Sequence, residues 1–215
     1  EIRLLIGTLR ECNLLDDTII VFLSDHGDML FDHNMVAKRL MYDNSARIPL
    51  IITGKPALEY RGKGYEDKLA TMSDVMPTLL DMCGISIPDH VDGFPLFSSN
   101  KREYIYGEVS NGEKATRMIR NERYKLIYYP TGNVKQLFDM VNDPHETHDL
   151  SGTDEYKPIL ESMEKTLITE LYGSDLDWIK DGRLVGVEAP AEFQPNPDFG
   201  LYNQRGYHWP QPKGY

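Results

Sequence analysis

The densest group of side chains able to do chemistry is Ser24-Asp25-His26-Gly27-Asp28, followed by Asp32, His33, Lys38 and Asp43. A carboxylate such as Asp25 is a hard oxygen donor suited to a divalent cation. Lys38 is a compact positive charge able to hold a sulfate or phosphate oxygen. Gly27 lets the backbone turn sharply beside Asp25 and His26. Taken alone, an Asp-His-Gly more often ends a strand with solvated charge, and spacing by itself does not decide between that and a site.

The elements around the group favour a site. Thr18-Ile-Ile-Val-Phe-Leu23 is a continuous β-branched run, the pattern of a strand buried on both faces. It follows an amphipathic helix over residues 1–13, with Ile2, Leu5, Ile6 and Leu9 at helical spacing. Helix then buried strand is an α/β pattern, and in open α/β sheets sites form at the carboxyl ends of strands. Residues 28–47 read as irregular, and Ile48–Ile52 as a second short strand near an edge because of Pro49. Ala57–Asp67 reads as a surface loop. Ser73–Met82 reads as a helix capped by Ser73, with Pro77 in its first turn and Gly84 ending it.

A boundary is expected in the Pro- and Gly-containing stretch 87–100. Beyond it, strands are expected at Tyr104–Val109, Thr116–Ile119, Tyr124–Tyr129 and Gln136–Asp139, with turns at 120–123 and 131–133. Ile159, Met163, Leu167 and Leu171 give a helix over residues 155–172. Four antiparallel strands and one helix make a small α+β unit. From Gly173 the chain is rich in Pro, Gly and aromatics and reads as an extended tail.

Composition closes off several classes. Lys plus Arg number 23 and Asp plus Glu 34, a net charge of −11, so a general nucleic-acid or anionic-membrane binder is disfavoured. No apolar run can span a bilayer. Cys12 and Cys83 make no disulfide framework, and no zinc-ligand spacing is present. The chain opens within an amphipathic helix without Met or a leader, so it is expected to be the C-terminal part of a longer protein.

Residues 18–52, TIIVFLSDHGDMLFDHNMVAKRLMYDNSARIPLII, resemble the second metal-binding motif of the type I sulfatases of the alkaline phosphatase superfamily. The Lys lies twelve residues after the His, as in several sulfatases and the related phosphonate monoesterases. Phe31 stands where Gly is usual. Thr71-Met-Ser-Asp-Val-Met-Pro-Thr-Leu-Leu80 with Asp92-Gly93, Arg123-Tyr-Lys-Leu-Ile127, and Gln136–Glu146 continuing to Asp149-Leu150 resemble later motifs of that family. About residues 14–175 are covered.

The resemblance implies an α/β fold. Residues 1–100 would be the C-terminal part of an alkaline-phosphatase-like catalytic sheet domain. Residues 101–175 would be the α+β subdomain with its four-stranded antiparallel sheet and one helix, and 176–215 a Pro/aromatic tail. It implies hydrolysis of sulfate esters, of small molecules or carbohydrates, with one calcium ion and a formylglycine nucleophile. Carried over by position, Asp25 and His26 become metal ligands and Lys38 the sulfate or leaving-group contact. His33, read from its own place in an Asp-His pair within the loop rather than from the resemblance, either donates a hydrogen bond to the leaving group or packs or faces solvent. His26 is the less secure ligand, since calcium prefers oxygen.

No Cys/Ser-x-Pro-x-Arg occurs, so the formylglycine is expected in a portion N-terminal to this sequence, and the 215 residues alone are expected to be inactive. The rival readings are a phosphonate or phosphate monoesterase of the same superfamily, and a non-catalytic protein binding sulfated glycans. A periplasmic or secreted location is a family expectation. Arg47 reads as structural, paired with an acid, and Asp43 as a partner of Lys38 or Arg47. His145 and His148 read as surface-turn residues. Tyr202, Tyr207, His208 and Trp209 read as covering an apolar patch or lining a sugar site.

Overall fold

A computed structural model describes residues 1–65 and 67–188. The chain divides into two compact units: residues 1–25 with 48–102, and residues 26–47 with the chain from Glu103 onward. Segment 26–47 groups with the C-terminal unit.

In the first unit, α1 (Ile2–Glu11) leads into β1 (Ile20–Leu23). In chain order, α2 (Asp43–Ala46) belongs to the other unit, and β2 (Leu50–Thr53) pairs antiparallel with β1, Ile20 opposite Thr53 and Leu23 opposite Leu50. Expected burial of β1 on both faces is not what the described residues give: Phe22 and its partner Ile51 are exposed, because no described element covers that face.

The expected loop 57–67 instead begins as a helix, α3 (Lys55–Arg61). Gly54 precedes it, and Pro56 sits in the first turn, where a missing N–H is harmless. Gly54 is irreplaceable there: its φ is +104°, and a Cβ would lie 2.2 Å from the Thr18 carbonyl oxygen. Helix α4 (Val75–Met82) is preceded by a 3-10 turn, Met72–Asp74. The capping box is at that 3-10 turn and uses Thr71 with Asp74, not Ser73: the Thr71 side chain and the Asp74 carboxylate each satisfy the other's backbone N–H. The buried Asp74 carboxylate also accepts from the Phe94 amide (2.8 Å) and pairs with Arg102, which ties α4 to the following loop.

The second unit is built on a meander of β3 (Ile105–Val109), β4 (Thr116–Arg120), β5 (Tyr124–Tyr129) and β6 (Val134–Asp139), each pairing antiparallel with the next. All four lie where the residue pattern put them. Alternation explains why β4, β5 and the end of β6 are almost wholly buried: side chains on a strand point to opposite faces, and both faces are covered. Ile119, Leu126, Tyr128 and Leu137 face α5 (Lys157–Glu170). Their chain neighbours Met118, Ile127, Tyr129 and Phe138 face Met29, Leu40, Met41 and Tyr42 from segment 26–47.

Residues 173–188 are not an extended tail. They form a 3-10 helix (Gly173–Trp178) and a two-residue hairpin, β7 (Ile179–Lys180) with β8 (Arg183–Leu184). Trp178 and Leu184 bury on the α5 side, and Arg117 of β4 pairs with Asp175 through two hydrogen bonds of 2.7 and 3.1 Å. Tyr202, Tyr207, His208 and Trp209 lie outside the described residues.

Candidate active site

Asp25 follows β1 by two residues and accepts from the Ser24 hydroxyl at 3.4 Å. The remaining candidates stand on segment 26–47. Its geometry is set at Gly27, whose N–H donates to the Ser45 carbonyl at 2.9 Å. A Cβ there would fall 2.0 Å from the Asn44 carbonyl oxygen, so only glycine permits this approach.

His26 and Lys38 form a pair. Lys38 Nζ lies 2.6 Å from His26 Nε2, and His26 Nδ1 lies 2.7 Å from the Gly27 carbonyl oxygen. An ammonium only donates and a carbonyl only accepts, so Nε2 is the acceptor and Nδ1 carries the proton. The imidazole thereby aims the Lys38 charge.

His33 stacks on Tyr42, with ring centroids 4.3 Å apart, and its Nε2 lies 3.1 Å from the His145 carbonyl oxygen. That nitrogen is therefore a donor already engaged. In the neutral ring Nδ1 is an acceptor, so donation to a leaving group requires the imidazolium.

The loop between the pair is strained. Leu30, Phe31, His33, Asn34 and Ala37, with Arg39 just beyond Lys38, all have positive φ, at 46 to 72°. Each such non-glycine residue costs about 1–3 kcal/mol and persists only where its surroundings hold it. The Met29 N–H to Ala37 carbonyl bond (2.7 Å) closes the loop, and Asn44 donates to the Asp32 carboxylate at 2.6 Å. Met29, fully buried against the sheet, anchors it.

Beneath the loop lies a charge cluster that residue spacing did not show. Lys125 of β5, 1% exposed, contacts the Asp43 carboxylate, Glu146 (2.6 Å) and the Met41 carbonyl (3.0 Å). Arg120 donates to both Asp43 oxygens at 2.7 and 2.9 Å. Glu146 also accepts from the Asp43 amide at 2.7 Å.

Two cations thus face two carboxylates. Burial alone would raise the Asp43 carboxyl, but Lys125 and Arg120 outweigh it and hold the group below its ordinary range. For Glu146 burial prevails over Lys125, and its carboxyl is raised. Asp43 accordingly does not hold Lys38 or Arg47. Arg47 is exposed and makes no ion pair with a described residue. His145 and His148 are exposed, as expected, but Glu146 between them is 3% exposed. The available signal was Lys125 itself, a charge amid the apolar run Tyr124–Tyr129 that had to find a partner.

A calcium ion takes six to eight oxygen ligands. Among the described residues no three His, Cys, Asp or Glu side chains converge as a metal site, and His26 Nε2 is occupied by Lys38. The described residues therefore do not by themselves form a cation site. Asp25 is a single hard donor.

Residues 31–172 match the family described as "N-sulphoglucosamine sulphohydrolase, C-terminal". The chain is 38% identical over 185 residues to an arylsulfatase of Clostridium perfringens, covering 82% of this chain and 38% of the relative. It superposes on BT1596, a 2-O GAG sulfatase, with a TM-score of 0.68 and 30% identity, covering 77% of this chain and 38% of that one. It superposes on BT4656, solved with its substrate D-glucosamine-2-N,6-O-disulfate, with a TM-score of 0.66 and 27% identity, covering 79% and 37%. The chain belongs to the type I sulfatase family, in the alkaline phosphatase superfamily, and corresponds to the C-terminal portion of its members. It spans about a third of the length of the curated relatives it matches.

Proposed function

We propose that this chain is part of an enzyme hydrolysing sulfate esters on a sulfated carbohydrate. The observation that carries this reading is the Lys38–His26 pair, carried on the loop that begins where β1 ends, in a chain of the sulfatase family. The Lys38 ammonium would leave His26 Nε2 to contact a sulfate oxygen. It would offset charge as the S–O bond to the leaving group breaks. His33 acts on the leaving-group oxygen only in its protonated form, because its Nε2 proton is committed to His145.

Asp25 is the residue of this chain we assign to a divalent cation, calcium by the hardness of its carboxylate, and His26 could join it only after Lys38 has left its Nε2. The formylglycine nucleophile would come from outside these 215 residues, which contain no Cys/Ser-x-Pro-x-Arg. The sugar-sulfate assignment is supported by relatives named for glycosaminoglycan or hexuronate sulfate substrates. The same names place phosphonate or phosphate monoester hydrolysis second. A secreted or periplasmic location is part of the same reading. Among the described residues no helix is long and apolar enough to cross a membrane.

The test is Lys38→Ala in the complete protein that contains this chain, assayed by sulfate release from sulfated glucosamines and by phosphate and phosphonate monoester turnover. Removal of a charge that stabilises the transition state is expected to lower kcat/KM for sulfate esters by about 10²–10³-fold. A loss within twofold would remove Lys38 from the site. Faster phosphonate than sulfate turnover by the unaltered protein would overturn the substrate class.

A further inference from the structure

Ser45 joins the two ends of the loop that carries the His26–Lys38 pair. Its carbonyl takes the Gly27 N–H at 2.9 Å, one residue after His26. Its hydroxyl takes the Leu40 N–H at 3.2 Å, two residues after Lys38. Ser45 and Leu40 are each 3% exposed, so water does not substitute for either bond. Ser45 belongs to the single turn α2, and the first residue of α2 is Asp43. Asp43 is fixed from three sides, by Arg120, by Lys125, and through its own amide by Glu146. Mechanical connection therefore runs from the sheet to Asp43, along one helical turn to Ser45, and from Ser45 to both members of the pair.

We propose that Ser45 is a positioning residue for Lys38: it sets the separation of the His26 and Lys38 backbones, and the Lys125–Asp43–Glu146–Arg120 cluster holds Ser45 in register. The loop between His26 and Lys38 supplies little rigidity of its own, since five of its residues sit at positive φ and keep that conformation only while its ends are held. When the hydroxyl is removed, the Leu40 end is freed and the Lys38 ammonium loses its fixed distance to His26 Nε2. The chain still folds, because the sheet-side cluster is untouched.

This inference rests on the assignment of Lys38 to the sulfate site, and a double-mutant cycle separates the two. In the complete protein, kcat/KM for the sulfated glucosamine turned over fastest is measured for Ser45→Ala, Lys38→Ala and the double variant, with the Tm of each. Ser45→Ala is expected to lower kcat/KM about tenfold, mainly through kcat, and Ser45→Thr, which keeps the hydroxyl, to restore it to within threefold. In the Lys38→Ala background, Ser45→Ala is expected to change kcat/KM by less than twofold. Equal losses in both backgrounds would show a general structural effect and overturn the proposal, as would an unimpaired Ser45→Ala. A harmless Lys38→Ala would instead refute the site assignment, and the inference would fall with it. Lys125→Arg gives a second route should Ser45→Ala not fold. It keeps the buried charge but displaces its point of contact, and its smaller loss is likewise expected to vanish without Lys38.

Discussion

Lys125→Met is the sharpest probe of what holds the site loop on its sheet. The substitution keeps a long apolar stem and removes only the ammonium. Asp43 keeps Arg120, but Glu146, whose side chain is 2% exposed, keeps only the Asp43 amide. Removing one partner of a buried ion pair costs about 3–5 kcal/mol. The lower end applies here, because Glu146 is already biased toward its protonated form and can neutralise itself by taking up a proton. About 3 kcal/mol corresponds to a Tm lowered by roughly 6–12 °C when the C-terminal portion unfolds as its own cooperative unit of 150–250 residues. Thermal unfolding of the complete protein followed by circular dichroism reads this directly. Adding Glu146→Gln removes the stranded acid and is expected to recover a third to a half of the lost stability. A Tm change under about 2 °C for Lys125→Met would show that the cluster is not a net anchor. Failure of Glu146→Gln to recover anything would show that the loss comes from packing rather than from the unpaired carboxylate.

Three further perturbations have directions fixed by the structure. Gly27→Ala is expected to abolish folding of the loop or displace it, since its Cβ meets the Asn44 carbonyl oxygen at 2.0 Å. Retained activity and Tm would contradict that. Phe31→Gly is expected to stabilise the protein by up to about 1 kcal/mol, because Phe31 has φ +70° and is 75% exposed, so relief of strain outweighs the entropy of glycine. A lowered Tm would mean that its ring is packed. Asp43, Asp139 and Asp143 all have carboxyls held below the ordinary range. Each contributes stability that is full above its unfolded pKa of about 3.9 and is lost as pH falls through the lower folded value. Glu146, raised, works in the opposite sense, gaining relative stability as acid protonates it. Three against one predicts a net fall of Tm below about pH 4, weaker in Asp43→Asn. A Tm that holds or rises there would refute the assignment.

The meander was legible in the sequence because four short β-branched and aromatic runs, separated by turn residues, admit few other arrangements. The helix α5 was legible from its 3.6-residue periodicity. Elements decided by one backbone position were not. The signals for α3 are Gly54 and Pro56, which in sequence look like a loop, and the capping box at the 3-10 turn before α4 depends on a three-residue reciprocity between Thr71 and Asp74 rather than on the nearer Ser73. The hairpin β7–β8 is too short for any alternation to register, and it is held by Trp178, Leu184 and the Arg117–Asp175 pair instead.

The candidate site divides along the same line. His26 and Lys38 were identifiable as a pair by resemblance, but their hydrogen bond depends on a loop whose conformation contradicts local preference at Leu30, Phe31, His33 and Ala37. Such a loop cannot be read from its own residues, because the determinants lie elsewhere in the chain, 77 to 103 residues away for the contacts of Asp43. A sheet buried on both faces has no solvated side on which to place charge, so Lys125 had to be matched by acids arriving from other segments. Asp43 and Glu146 are those acids, and Asp43 begins the turn that closes the loop. The charge that looks misplaced in β5 is therefore tied to the loop that carries the site, and a strand charge with no local partner is the sequence feature from which such a tie can be anticipated.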